Sequence, residues 1–223
     1  MKTISPQTNA FSRLELVVLI AMMALLTALL VRGQAITDNR PLRDRIGCVS
    51  NLKQIGLAFR MWSNDHDDKF PMQFGANKEG SQEAIAQEEP WRHYVALSNE
   101  LTSPKVLACP ADTRVRATNF LSLSLSNVSY FVGLDADETL PQSLLSGDRN
   151  VTNGVAPKKT VLDLPDQPAA GWTEQIHRER GNLGLADGSA QQTTTPALRR
   201  QIAAANASNK IGLTRLQIPG VSQ

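Results

Sequence analysis

The chain has 223 residues, room for one compact domain with an N-terminal appendage and hardly for two full domains. Its 23 basic and 21 acidic side chains leave a net charge of +2, which offers no basic field for a nucleic-acid partner. Apolar residues are concentrated in one block at residues 14–31, and that block dominates the reading of the class.

Residues 16–31 are sixteen consecutive positions without a charge, rich in Leu, Val, Met and Ala, and Leu14 extends the run across the single acid Glu15. Eighteen helical residues rise roughly 27 Å, close to the hydrocarbon thickness of a bilayer, so a membrane-spanning helix is expected. A core helix of a soluble protein is the competing reading, but a helix apolar on every face needs either a large protein or lipid around it. A cleaved signal peptide also competes, because Gly33 and Ala35 supply small residues before a cut after Ala35. Against it, the apolar run exceeds the roughly 7 to 15 residues usual for such segments and carries an acid near its start. Glu15 at a hydrocarbon edge calls for a partner, since a central acid costs about 2.5 to 3.5 kcal/mol on insertion scales.

Beyond Gly33 the stretch 37–41 interrupts the helix, and Pro41 suits the first turn of a renewed one. Ile46, Val49, Leu52, Ile55, Phe59 and Trp62 then recur at spacings of three or four, which predicts an amphipathic helix with one apolar stripe. The remaining chain is broken by Gly, Pro, Asn and Asp into short runs such as 128–134 and 182–186, which read as strands. The expected fold class is α+β, with helical segments packed on an antiparallel sheet.

Ala10, Phe11, Ser12, Arg13, Leu14, Glu15 and Leu16 together resemble the processing and methylation motif of type IV pilins and type II secretion pseudopilins. The resemblance continues in Cys48-Val49-Ser50-Asn51-Leu52-Lys53-Gln54, in Cys109-Pro110, and in His177 separated by nine residues from Asp187-Gly188. These are similar to motifs of a large secretion protein G-like group of pseudopilins. The resemblance implies a pilin-like fold: a long N-terminal helix, half membrane span and half amphipathic, packed on an antiparallel sheet. It implies a leader at 1–10, a transmembrane helix at 11–35, an amphipathic helix opening the soluble domain at 36–70, and a periplasmic or extracellular sheet domain at 71–223.

It further implies that a prepilin peptidase cuts between Ala10 and Phe11, and that Glu15 pairs with the new amine of a neighbouring subunit during assembly. The expected partners are membrane lipid, the peptidase and other pseudopilins, and the expected location is the inner membrane in a single pass. Flanking charge alone points the other way, because Arg32, Arg40, Arg43 and Arg45 follow the span while only Lys2 and Arg13 precede it. The alternative function is an exported binding domain, anchored or secreted, that never polymerises.

Cys48 and Cys109 are expected to form a disulfide; closing a loop of about 60 residues would contribute roughly 4 kcal/mol in the chain-entropy model. A zinc site with His66 or His177, and two unpaired thiols, stay open beside it. Asp187-Gly188 reads as a two-residue hairpin turn, with residues 172–177 as a further strand carrying His177 into a three-stranded meander. No nucleophile or base pattern marks an enzyme. No cofactor is expected, apart from calcium at the acidic residues Asp135, Asp137, Glu138 and Asp148, for which the twelve-residue ligand pattern is missing. Thr195-Pro196 reads as the start of a helix through Ala205, and Ile211 to Ile218 as a last extended segment.

Overall fold

The computed structural model of the chain describes residues 12–35, 40–166 and 169–220. It divides into two compact units, one ending at Arg40 and the other running from Pro41 to Gln223.

The first unit contributes α1 (Arg13–Ala35). Ser12 and Glu15 open it as a capping box: the Ser12 amide donates to Glu15 Oε2 at 2.9 Å and the Glu15 amide to Ser12 Oγ at 3.3 Å. Leu, Met and Ala sustain it, and its large apolar side chains are exposed on every face, from 48% at Leu19 to 76% at Leu14. The charge-free residues 16–31 rise roughly 24 Å, short of the ~30 Å hydrocarbon layer. Among the described residues no helix is long and apolar enough to cross a membrane. The expected bilayer span, and the single-pass inner-membrane location built on it, are thereby corrected. So is the expected long helix, because α2 (Arg40–Asn64) is a separate element that belongs to the second unit almost entirely.

In that second unit the α+β character and the antiparallel sheet are observed. Six strands, β1 (Tyr130–Gly133), β2 (Leu144–Asp148), β4 (Val161–Leu164), β6 (Arg180–Leu185), β7 (Ala190–Thr194) and β8 (Thr214–Gln217), lie in the order β4-β8-β1-β2-β6-β7. All neighbours are antiparallel. A two-stranded ribbon pairs β3 (Val151–Thr152) with β5 (Gly171–Trp172).

Side chains of successive residues leave the sheet on opposite faces, and each face receives a helix. Tyr130, Val132 and Leu145 join Leu52, Ile55, Phe59 and Trp62 of α2 in one core. Phe131, Leu144, Leu183 and Leu216 join Leu198 and Ile202 of α5 (Thr195–Ser208) in the other. The β2–β6 ladder carries a register shift: it passes from Leu144–Leu185 to Ser146–Gly184, so β2 advances two residues where β6 advances one. The buried stripe of α2 is Cys48, Leu52, Ile55, Phe59 and Trp62; Ile46, expected within it, is 56% exposed.

Two short helices, α3 (Glu83–Ala86) and α4 (Arg92–Val95), close the α2 side. His93 fastens them to the sheet. Its Nδ1 faces Ser81 Oγ at 2.6 Å and its Nε2 faces Gln217 Oε1 of β8 at 2.7 Å. Gln217 Nε2 in turn donates to the Ala84 carbonyl at 2.9 Å. Thus β8, whose partner the sequence left unnamed, is an interior strand between β4 and β1.

A Cβ at Gly133 would lie 1.8 Å from the Leu144 carbonyl oxygen, so β1 and β2 approach there only because residue 133 has no side chain. Gly133→Ala should lower unfolding free energy by at least about 2 kcal/mol in chemical denaturation. A loss below about 0.5 kcal/mol would contradict this packing.

Candidate functional site

The third turn of α2, the loop after the turn Pro104–Leu107, the end of β2 and the loop between β5 and β6 meet at one buried polar cluster. Cys48 and Cys109 are disulfide-bonded there, with Cα atoms 5.1 Å apart. That separation lies within the normal range for bridged cysteines. Pro110 packs on Gly47, whose missing side chain admits it at 3.2 Å from an ideal Cβ position. Asn51, one turn beyond Cys48, donates from Nδ2 to the Ala108 carbonyl at 3.3 Å and to the Tyr130 hydroxyl at 3.2 Å. The Cys-x-x-Asn part of the helix motif therefore grips both the Cys109 loop and β1.

His177 comes to the same place, with Nε2 at 3.5 Å from Cys109 Sγ and 3.4 Å from Asp148 Oδ2. Asp148 is wholly buried; its Oδ2 accepts the Asn182 amide at 2.7 Å and Asn182 Nδ2 at 2.8 Å, while its Oδ1 has no hydrogen-bond partner. Burial pushes the Asp148 carboxyl up to about 7, against the lowering effect of the two Asn182 bonds. Burial, aided by the Arg45 cation, pushes His177 down to about 4. At neutral pH the imidazole is therefore uncharged, and its contact with Asp148 is a polar contact rather than a full ion pair. Alongside, Asp112 and Arg149 form a two-pronged pair at 2.8 Å for both bonds. Burial alone would raise the Asp112 carboxyl, but the Arg149 guanidinium holds it below the ordinary carboxylate range.

Three sequence-derived residues, Cys48, Cys109 and His177, thus converge. Asp187 and Gly188 do not; they form the β6–β7 turn against a later part of α2. Gly188 N donates to Leu185 O at 2.9 Å, Gly188 has φ +82, and Asp187 Oδ1 accepts Ser189 N at 2.8 Å. With residues 186–188 in the loop and a left-handed glycine at its end, this is a three-residue connection rather than the expected two-residue one. A Cβ on Gly56 of α2 would stand 3.2 Å from Gly188 Cα, and Arg60 Nη1 donates to the Asp187 carbonyl at 3.1 Å. At the other end Arg45 Nη2 donates to the His177 carbonyl at 3.0 Å. The two halves of the His-x9-Asp-Gly motif accordingly hold one helix at two separated turns.

His177 lies in a turn and not on a strand, since the segment from Thr173 leaves β5 and the chain reverses through Arg178 and Glu179, both at positive φ. β5 pairs with β3 rather than β6, so the expected three-stranded meander is corrected. Residues Ala10 and Phe11, the expected processing site, lie outside the described residues. Glu15 occupies the capping box of α1, a role its spacing from Ser12 could have signalled.

The acids considered for calcium are dispersed onto separate partners. Asp135 binds Arg215, Glu138 meets Arg60 and Ser63, Asp137 caps its own loop through Thr139, and Asp148 belongs to the buried cluster. Asn182 is the site residue that the sequence reading misses, and Asp148, a calcium candidate there, sits instead in this buried cluster. The signal was Asn182 inside a strand, where Asn is disfavoured unless its amide has a buried task.

Comparison with family models, with curated proteins and with solved structures gives no match for this chain.

The raised Asp148 pKa has a definite sign. The native state holds this proton more tightly than the unfolded chain, so its contribution is full below about pH 4 and is lost as pH rises through about 7. His93 and His177, both depressed to about 4 chiefly by burial, act oppositely: their contribution is full above about pH 6.5 and is lost as pH falls through about 4. Asp148→Asn keeps the acceptor for Asn182 and removes the titration. Its melting temperature should therefore gain on the parent's between about pH 4 and 7, with the gap constant above that. A gap independent of pH would contradict the buried neutral acid.

Proposed function

We propose that the chain is a structural, pseudopilin-like subunit that self-assembles through α1. The observation that carries this reading is the exposure of large apolar side chains around the whole circumference of α1, from Leu14 through Leu29. A helix buried on one side presents one apolar stripe, whereas a helix apolar all round is stable in water only when neighbours enclose it. Copies of the same helix supply such an enclosure, with small residues Ala21, Ala24 and Ala28 admitting close approach. The unit from Pro41 onward contains two cores of its own and so does not depend on α1 for its apolar burial.

The resemblance of residues 10–16 to the prepilin motif supports the same reading and adds a partner, a peptidase cutting between Ala10 and Phe11. In this reading Glu15 stands at the start of each α1, where its carboxylate meets the amine of a neighbouring copy. Removal of that charge inside a desolvated bundle leaves the amine unpaired, which is why Glu15 governs assembly rather than folding.

Because Glu15 also caps α1, two substitutions separate the roles. Glu15→Gln preserves a capping-box side chain and removes the charge, whereas Glu15→Ala removes both. Both variants should fail to enter fibres seen by electron microscopy, with the melting curve of the Pro41–Gln223 unit unchanged. Assembly of Glu15→Gln at the parental level would overturn the charge-pairing role. N-terminal sequencing of the mature chain gives an independent check: a start at Phe11 supports the pilin pathway, and a start at Ile36 overturns it.

A further inference from the structure

One group among the described residues brings together enough His, Cys and acidic ligand atoms to hold a metal ion: Cys48, Cys109, Asp148 and His177, all buried, with their donor atoms within 4.8 Å of one another. We propose that the dithiol form of this cluster is a zinc-class metal site, with Cys48 Sγ, Cys109 Sγ, His177 Nε2 and the Asp148 carboxylate as its four ligands. Disulfide formation and metal binding are then alternative fates of the same two cysteines.

The geometry is close to what such a site requires. Zinc bonds of about 2.0 to 2.3 Å in a tetrahedron set ligand atoms roughly 3.3 to 3.8 Å apart. Nε2 of His177 already stands 3.4 Å from Asp148 Oδ2 and 3.5 Å from Cys109 Sγ. The edge between the two sulfurs opens when their bond is reduced, and the remaining edges, all within 4.8 Å, tighten onto the ion.

The surroundings of the ligands suit the same ion. Asn182 fixes one oxygen of the Asp148 carboxylate by two hydrogen bonds and leaves the other unpartnered within the protein. His177 is fixed through its carbonyl by Arg45. Two thiolates and one carboxylate carry three negative charges; a divalent ion leaves one, and the Arg45 cation beside them offsets it. Two sulfurs, one imidazole nitrogen and one carboxylate oxygen select zinc or a similar borderline-soft ion over calcium or magnesium.

Metal binding releases the two thiol protons to solvent, and with them the Asp148 carboxyl proton wherever that acid is protonated. Conversion to the disulfide needs a two-electron acceptor, for which a disulfide of a partner protein or small molecule is the chemical class. The Cys48 and Cys109 thiolates form the S–S bond, the acceptor disulfide takes their two electrons with two protons from solvent and becomes a dithiol, and the divalent ion departs.

Cobalt(II) titration of the full chain, reduced and kept free of oxygen, tests the site. One equivalent of Co2+ should bind with a thiolate charge-transfer band and the absorption of a tetrahedral ion, and Zn2+ should displace it. His177→Ala and Asp148→Asn should each weaken binding by at least about tenfold, and the disulfide form by at least about a hundredfold. Absence of the tetrahedral spectrum from the folded reduced chain overturns the proposal, as does unchanged affinity in either variant. If reduction unfolds the second unit, circular dichroism decides: refolding on addition of one equivalent of Zn2+ supports the site, and failure to refold overturns it.

Discussion

One face of α2 carries Cys48, Leu52, Ile55, Phe59 and Trp62 onto the sheet, and the rest of the Pro41–Gln223 unit is organised by that contact. At five residues over four turns the apolar burial stabilises by on the order of 10 kcal/mol before entropy is counted. Burial is non-directional, however, and would tolerate a helix that slides or rotates on the sheet. The directional contacts remove that freedom. The Cys48–Cys109 bond and the Asn51 side chain hold the first turns to the Cys109 loop and β1, and the Gly56–Gly188 approach with the Arg60 bond holds the later turns to the β6–β7 hairpin.

This arrangement gives separate motifs a common physical purpose. Cysteine, proline, histidine and the Asp-Gly turn are scattered over residues 48–188, yet each touches α2 or the loop bonded to it. The histidine does more than pack, because its imidazole faces a sulfur and a fully buried carboxylate at once. Burying Asp148 without a full complement of hydrogen bonds is costly, and the protein meets part of that cost by keeping the carboxyl protonated up to about pH 7. A divalent ion at the same place would remove the cost by a different route.

What could be read in the sequence follows from how local each signal is. The amphipathic period of α2 from Leu52 to Trp62 and the short run that forms β1 are local signals, and both stand where the sequence places them, because neighbouring residues alone set which face of the helix is apolar. The helix from Thr195, opened by Pro196, was legible for the same reason. The segment after Trp172 was misread as a strand of a meander because nothing local distinguishes pairing with β6 from pairing with β3; the choice rests on Val151, some twenty residues earlier. Asp148 looked like one acid among several in polar loops, and only the tertiary placement of β2 beside Asn182 reveals it as buried. Residues 14–31 reach the length of a bilayer core only if Glu15 is included, and the uninterrupted apolar rise from 16 to 31 is shorter. At the N-terminus the four residues from Ser12 to Glu15 spell a capping box for α1, a local signal that their spacing carries.

The claim that α2 and the sheet form one cooperative element is tested most directly by native-state hydrogen exchange on the disulfide form. The amides of α2 from Cys48 to Trp62 should open with the same free energy as those of β1, β2 and β6, and share their dependence on denaturant. Exchange of α2 through a separate, lower-energy opening, with the strands still protected, would contradict it.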